Sequence, residues 1–227
     1  AGWHLKKMGW NKKVLLELGG NAAVLIDETA DLKMCTKDIA RSAFLYAGQV
    51  CISTQRIYTT NNIFNEFKNL LMKEMTEILI DNPAKPTTVV GPLIDHGSYR
   101  RIYSWIKEAE NEGAKVLFRG KVNESKNMMG PVLITDTQNQ MKVVNEEIFG
   151  PVAILEPVTD FREGLSKINE SKYGLQAGIF TSRIERMKLA FSELNVGGIM
   201  INQVPGFRVD SMPYGGVKES GFGREGI

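Results

Sequence analysis

"VAILEPVTDFREGLSKINESKYGLQAGIFTSRIERMKLAFSELNVGGIMIN", residues 152 to 202, is the stretch whose reading decides the fold. Three apolar runs of strand length, 152–158, 175–181 and 196–202, are separated by two stretches, 161–174 and 184–195, with apolar residues at helical spacing. An unbroken apolar run marks a strand buried on both faces, and strands alternating with helices argue for a parallel sheet covered on each side.

The same pattern extends towards the start of the chain. "KVLLEL" (13–18), stopped by Gly19-Gly20, and "AAVLID" (22–27) read as buried strand pieces. "TKDIARSAFLYAGQ" (36–49) reads as a helix with Ile39, Ala43 and Ala47 on one face, Thr36 as its N-cap and Gly48 as its stop. "QRIYTT" (55–60) is a strand. "IFNEFKNLLMKEMTEILI" (63–80) is a long helix with Phe64, Phe67, Leu71 and Met75 towards the core. A helix at 99–113 and strands at 114–120 and 130–136 complete the set. The sum predicts one domain over residues 1–227, a three-layer α/β/α arrangement on a mostly parallel sheet of about five strands. Such sheets place their ligand crevice at the carboxyl ends of the strands. From Asn202 onward the chain is Gly-rich and aperiodic, and long loops of this kind usually have a task.

Composition excludes several functions. The 28 basic and 26 acidic residues are mixed along the chain, so no basic stripe marks a nucleic-acid partner. No apolar run reaches the roughly 18 residues of a membrane span, and "AGWHLKKMGWNKK" is not followed by a signal-peptide core, which makes the cytoplasm the default location. Cys35 and Cys51 are too few for a disulfide scaffold. With no CxxC or HExxH, and with His4 and His96 isolated from each other, no metal site is expected. No GxGxxG or GxxxxGK follows a strand, so the chain shows no phosphate cradle of its own.

Three places invite chemistry, each with an ordinary alternative. Cys51 follows a helix end and precedes a strand; most lone cysteines are small buried hydrophobes, but loops at sheet edges often carry function. A helix C-terminus does not stabilise a thiolate, so any activation has to come from elsewhere. Cys35 keeps the inert reading. Glu17 ends an apolar strand just before two glycines. It is either a solvated carboxylate or a general base raised by apolar neighbours, with the glycines admitting a ligand to the backbone. In "NEEIFGPV" (145–152), Phe149 is either core or a cofactor-packing aromatic, and a glutamate either solvated or a ribose ligand.

"LELGGNAAVLID" (16–27), "GQVCISTQR" (48–56), "EEIFGPV" (146–152), "YGLQAGIFT" (173–181) and "MPYGGVKESGFGREG" (212–226), in that order, resemble the aldehyde dehydrogenase superfamily over nearly the whole chain. The nearest flavour is the lactaldehyde, glycolaldehyde and succinate-semialdehyde type. Family members are roughly twice this length, so the resemblance is to the catalytic domain alone, without the Rossmann-like domain that holds most of NAD or NADP. It implies oxidation of a small-molecule aldehyde to a carboxylic acid, with Cys51 as nucleophile through a thiohemiacetal and a thioester, and Glu17 as the base that activates water. It matches Glu147 to the ribose carboxylate and Phe149 to the aromatic beside the nicotinamide, and sets Leu18 and Gly19 against the cofactor. Arg208, on the segment where the family has its substrate-entrance loop, is a candidate partner for an acidic substrate group. Further implications are a cofactor domain missing from this chain, a homo-oligomeric parent and an inactive isolated domain. Two alternatives stay open: a non-catalytic structural half, and a dehydrogenase that passes the acyl group to coenzyme A.

Overall fold

In a computed structural model, which describes residues 1–226, the centre of the molecule is one seven-stranded sheet. Its strands are β1 (Ala22–Ile26), β2 (Thr54–Thr60), β3 (Lys115–Arg119), β4 (Val132–Thr135), β5 (Val152–Val158), β6 (Gln176–Phe180) and β7 (Gly198–Ile201). They lie in the order β7-β6-β1-β2-β5-β4-β3, all parallel except that β3 pairs antiparallel with β4 at one edge. The sheet is thus wider than the five or so strands expected. Seven of the eight strand-like runs join it, because the edge strands β3 and β7 each find one partner.

Successive side chains along the central strands feed opposite faces, as strand geometry requires. Val24, Ile26 and Ile57 pack with helices α2 (Leu32–Phe44), α3 (Phe64–Thr76) and α4 (His96–Asn111) through Ile39, Phe44, Phe67, Leu71 and Ile102. Ala23, Leu25, Tyr58, Ala177 and Ile179 face the other way, against α6 (Phe161–Asn169) and α7 (Ile184–Glu193). This is the expected three-layer α/β/α fold. Two small helices, α1 (Gly2–Met8) and α5 (Lys142–Asn145), stand outside those layers.

Local readings need three corrections. Helix α2 begins four residues before Thr36, with Asp31 as N-cap accepting from the Met34 N–H; Thr36 is buried inside the helix, its hydroxyl donating to the Leu32 carbonyl. A carboxylate at the first free N–H groups outcompetes a threonine one turn later. The helix stops at Phe44, not Gly48. Third, "KVLLEL" does not enter the main sheet: only Leu16–Glu17 is extended, and it pairs antiparallel with Gly221–Phe222 in a separate ribbon. No helix of the described residues is long and apolar enough to cross a membrane.

Candidate active site

Cys51 lies between the C-terminus of α2 and the start of β2, so in a parallel β-α-β unit it must sit at the amino edge of the sheet. Gly19-Gly20 precede β1, Glu147 and Phe149 precede β5, and Tyr173-Gly174 precede β6. All therefore gather at the amino edge, which corrects the expectation of a crevice at the carboxyl ends. The crossover helices return the chain from the carboxyl edge, and these motifs occupy the segments entering the strands, not leaving them.

Hydrogen bonds knit the motifs together. Buried Gln55 donates to the carbonyls of Val143 (3.1 Å) and Glu146 (2.8 Å) and accepts from the Ile148 N–H (3.1 Å). Asn21 donates to the Val144 carbonyl at 2.6 Å. Arg56, 3% exposed, holds Asn21 through its side-chain and backbone oxygens and also meets the carbonyls of Lys167 and Ile168 at the end of α6. Lys218 donates to the Asn169 and Ser171 carbonyls beside them. Two cations thus cap the negative end of a helix that points at this edge. The Ser220 carbonyl accepts from the Leu18 N–H at 3.0 Å, and the Ser220 hydroxyl from the Gly174 N–H at 3.0 Å, which ties in the C-terminal loop.

Cys51 and Glu147 approach each other across two glycines. Gly20 donates its N–H to Glu147 Oε1 at 2.8 Å, and a Cβ on Gly20 would collide with the Cys51 carbonyl oxygen. A Cβ on Gly19 would stand 2.5 Å from Glu147 Oε2 and would push that carboxylate aside, so glycine leaves the oxygen its present place. Burial raises the Glu147 carboxyl above its usual range, against the Gly20 N–H and the Arg101 charge. Glu17 is also raised, first by burial and then by Glu225, while Arg208 and Arg224 pull it down. The half-buried Cys51 is reached through three consecutive left-handed residues, Tyr46, Ala47 and Gly48 (φ 54°, 57° and 66°), a costly conformation for the first two. Phe149, 40% exposed, is left-handed as well (φ 48°). A cavity of about 270 Å³ opens beside the cysteine loop, lined by Val50, Ile52 and Ser53 of that loop together with Ser42, Val204 and Phe207.

Arg208 ion-pairs with Glu225, and its guanidinium lies 4.3 Å from the centre of the Tyr214 ring. Cys35 is fully buried, its thiol pushed up to about 12 by burial. His96 is exposed beside Asn127, and His4 is exposed too. Sequence reasoning missed Tyr214, whose hydroxyl lies 3.4 Å from Cys51 Sγ. The available signal was a tyrosine within "MPYGG", on the long Gly-rich, aperiodic segment.

The profile of the aldehyde dehydrogenase family matches residues 3–227. The chain belongs to the aldehyde dehydrogenase family. It is 43% identical to a lactaldehyde dehydrogenase of Methanococcus maripaludis, over 100% of this chain and 48% of that protein. It is 41% identical to a 3-sulfolactaldehyde dehydrogenase of Priestia aryabhattai, over 95% of this chain and 45% of that one. Among solved structures, aldehyde dehydrogenase 21 of Physcomitrella patens, in complex with the reaction product succinate, superposes with a TM-score of 0.94 at 36% identity, covering 99% of this chain and 47% of the other. The chain therefore spans about half the length of the curated relatives it matches.

Proposed function

We propose that this aldehyde dehydrogenase chain is the nucleophile-bearing domain of an enzyme that oxidises an aldehyde to a carboxylic acid with NAD or NADP. The observation that carries the reading is Gly20, one residue that touches both the Cys51 carbonyl and the Glu147 carboxylate and so unites a nucleophile loop with a candidate cofactor ligand. Glu147 suits a ribose: its Oε1 is fixed by a backbone N–H, and glycine clears the space at Oε2. Phe149, Leu18 and Gly19 complete the cofactor contact, and the remainder of the site lies in a cofactor domain supplied by the other half of the enzyme. The nicotinamide, when bound, accepts the hydride.

Cys51 supplies a thiolate that adds to the aldehyde carbonyl, giving a thiohemiacetal and, after hydride loss, a thioester. Glu17 takes a proton from the water that hydrolyses it; a raised carboxyl is a better base near neutral pH than an unperturbed one. The substrate is a short aldehyde with a hydroxyl or acidic group, in line with the relatives' names and the succinate in the plant enzyme. An acidic group would reach Arg208 by displacing Glu225, and Arg208→Ala would then raise KM more for acidic than for neutral aldehydes. We place the reaction in the cytoplasm, where two free cysteines stay reduced, and in a homo-oligomer.

The test is pre-steady-state kinetics of the full-length enzyme. Glu17→Gln should give a stoichiometric burst of reduced cofactor followed by turnover slowed about a thousandfold. Wild-type turnover in that variant would remove Glu17 as base, and acyl-CoA as product would replace hydrolysis by thiol transfer. A purely structural role for this half is favoured by the exposed apolar side chains Trp3, Leu5, Met8 and Trp10 around α1. Full aldehyde oxidation by a Cys51→Ser enzyme would establish that role.

A further inference from the structure

Tyr214 differs from the residues above in that its side chain meets the reacting atom. It is 5% exposed, and its hydroxyl oxygen lies 3.4 Å from Cys51 Sγ, a normal distance for a hydrogen bond to sulfur. Among the described residues, neither atom has another hydrogen-bond partner. We propose that the Tyr214 hydroxyl donates a hydrogen bond to the Cys51 sulfur and holds it as the thiolate, with Arg208, anchored by Glu225, positioning and polarising the phenol. The proposal rests on Cys51 being the nucleophile.

The direction of the bond follows from chemistry. A thiol is a weak donor, whereas a hydroxyl donating to a thiolate makes a charge-assisted bond. The phenol keeps its proton, because burial, then the contact with Cys51 and the charges of Cys51 and Glu17, push the Tyr214 hydroxyl up, with Arg208 opposing. It acts as a donor and not as the acid or base of the site. The helix end that leads to Cys51 has the wrong polarity to favour a thiolate, so the activation has to come from a side chain. A guanidinium 4.3 Å above the ring draws electron density from the oxygen and makes it a stronger donor. The other charged groups around this cluster are Glu17, Glu225 and Arg224. The same bond serves the last step: when water adds to the thioester and the C–S bond breaks, the electron pair returns to a sulfur already solvated by Tyr214, while Glu17 holds the water's proton.

Alkylation by iodoacetamide in the full-length enzyme, from about pH 6 to about pH 10, tests this, with Cys51→Ser as blank and the buried Cys35 silent. Tyr214→Phe should lower the rate at neutral pH about tenfold and move the midpoint up by about one pH unit. Arg208→Met should act in the same direction by about threefold. A Tyr214→Phe profile superposable on wild type overturns the proposal. If that variant loses near-UV circular dichroism, 3-fluorotyrosine at 214 gives the same answer: its more acidic hydroxyl should move the midpoint down, and an unmoved midpoint overturns the proposal. Aldehyde oxidation persisting in Cys51→Ser would instead remove the nucleophile reading, a result that alkylation rates do not mimic.

Discussion

The two edges of the one sheet are built on different principles. At the carboxyl edge, Asp27 is fully buried but paired with Arg186 at 2.7 Å, Arg186 also grips Glu28 at 2.9 Å, and Arg183 reaches Glu28 at 3.2 Å. Thr29 donates to Asp27 from both its N–H and its hydroxyl, each at 2.6 Å. Burial pushes the Asp27 carboxyl up, yet Thr181, Thr29 and Arg186 together outweigh it and hold the group below the usual range. At the amino edge Glu147 and Glu17 are both raised and neither has an ion-pair partner among the described residues, while cations there are engaged elsewhere: Lys172 with Glu146, Arg208 with Glu225, and Arg56 and Lys218 with helix carbonyls. The edge with matched charges is structural, and the edge with unmatched carboxylates beside a thiol is where chemistry is possible.

The largest test of this contrast is Arg186→Met. Removing one partner leaves a buried carboxylate, and urea unfolding should show a loss of about 4 kcal/mol at neutral pH. Because the folded Asp27 carboxyl is depressed, the pair's contribution is present above the unfolded carboxylate range and disappears as pH falls through the lower folded value. The gap between variant and wild type should therefore narrow in acid, while Cys51 alkylation at neutral pH stays unchanged; altered alkylation would mean that the two edges are coupled. Gly20→Ala comes next. Its Cβ meets backbone at the Cys51 carbonyl, which cannot swing away as a side chain could, so about 3 kcal/mol should be lost and the alkylation rate should change as well. The smallest effect has the opposite sign. Glu147→Gln keeps an acceptor for the Gly20 N–H but removes a charge that burial disfavours, so thermal unfolding at pH 7 should rise by about 2 °C. A raised folded carboxyl binds its proton more tightly than the unfolded one, so the advantage should vanish below about pH 4, where wild type is protonated too. A lower melting temperature at pH 7 would show that Glu147 is a structural anchor rather than an unmatched charge.

The edge itself is open to sequence reasoning, but two rules compete for it. A cysteine after a helix and before a strand in a parallel unit has to lie at the amino edge, but the general rule for open sheets pointed to the other. The caps failed for a different reason: Asp31 and Thr36 are both competent N-caps, and the choice between them depends on where the preceding strand releases the chain. Glu17 was marked by its place before two glycines, whereas the antiparallel ribbon with Gly221–Phe222 that holds it joins residues some two hundred positions apart, and no local pattern reports such a pairing.

What the sequence determined by itself is what depends on neighbours along the chain. The strand and helix periods of residues 152–202 dictated a layered parallel sheet, and five short motifs in order carried the family. The tertiary structure alone decided which long-range groups meet. It gave Arg208 to Glu225 and Tyr214, brought the Tyr214 hydroxyl to Cys51, and set Glu147 against Gly20. Hydrogen bonds and desolvation act over a few ångströms, and separations of that size between distant residues exist only once the core has packed.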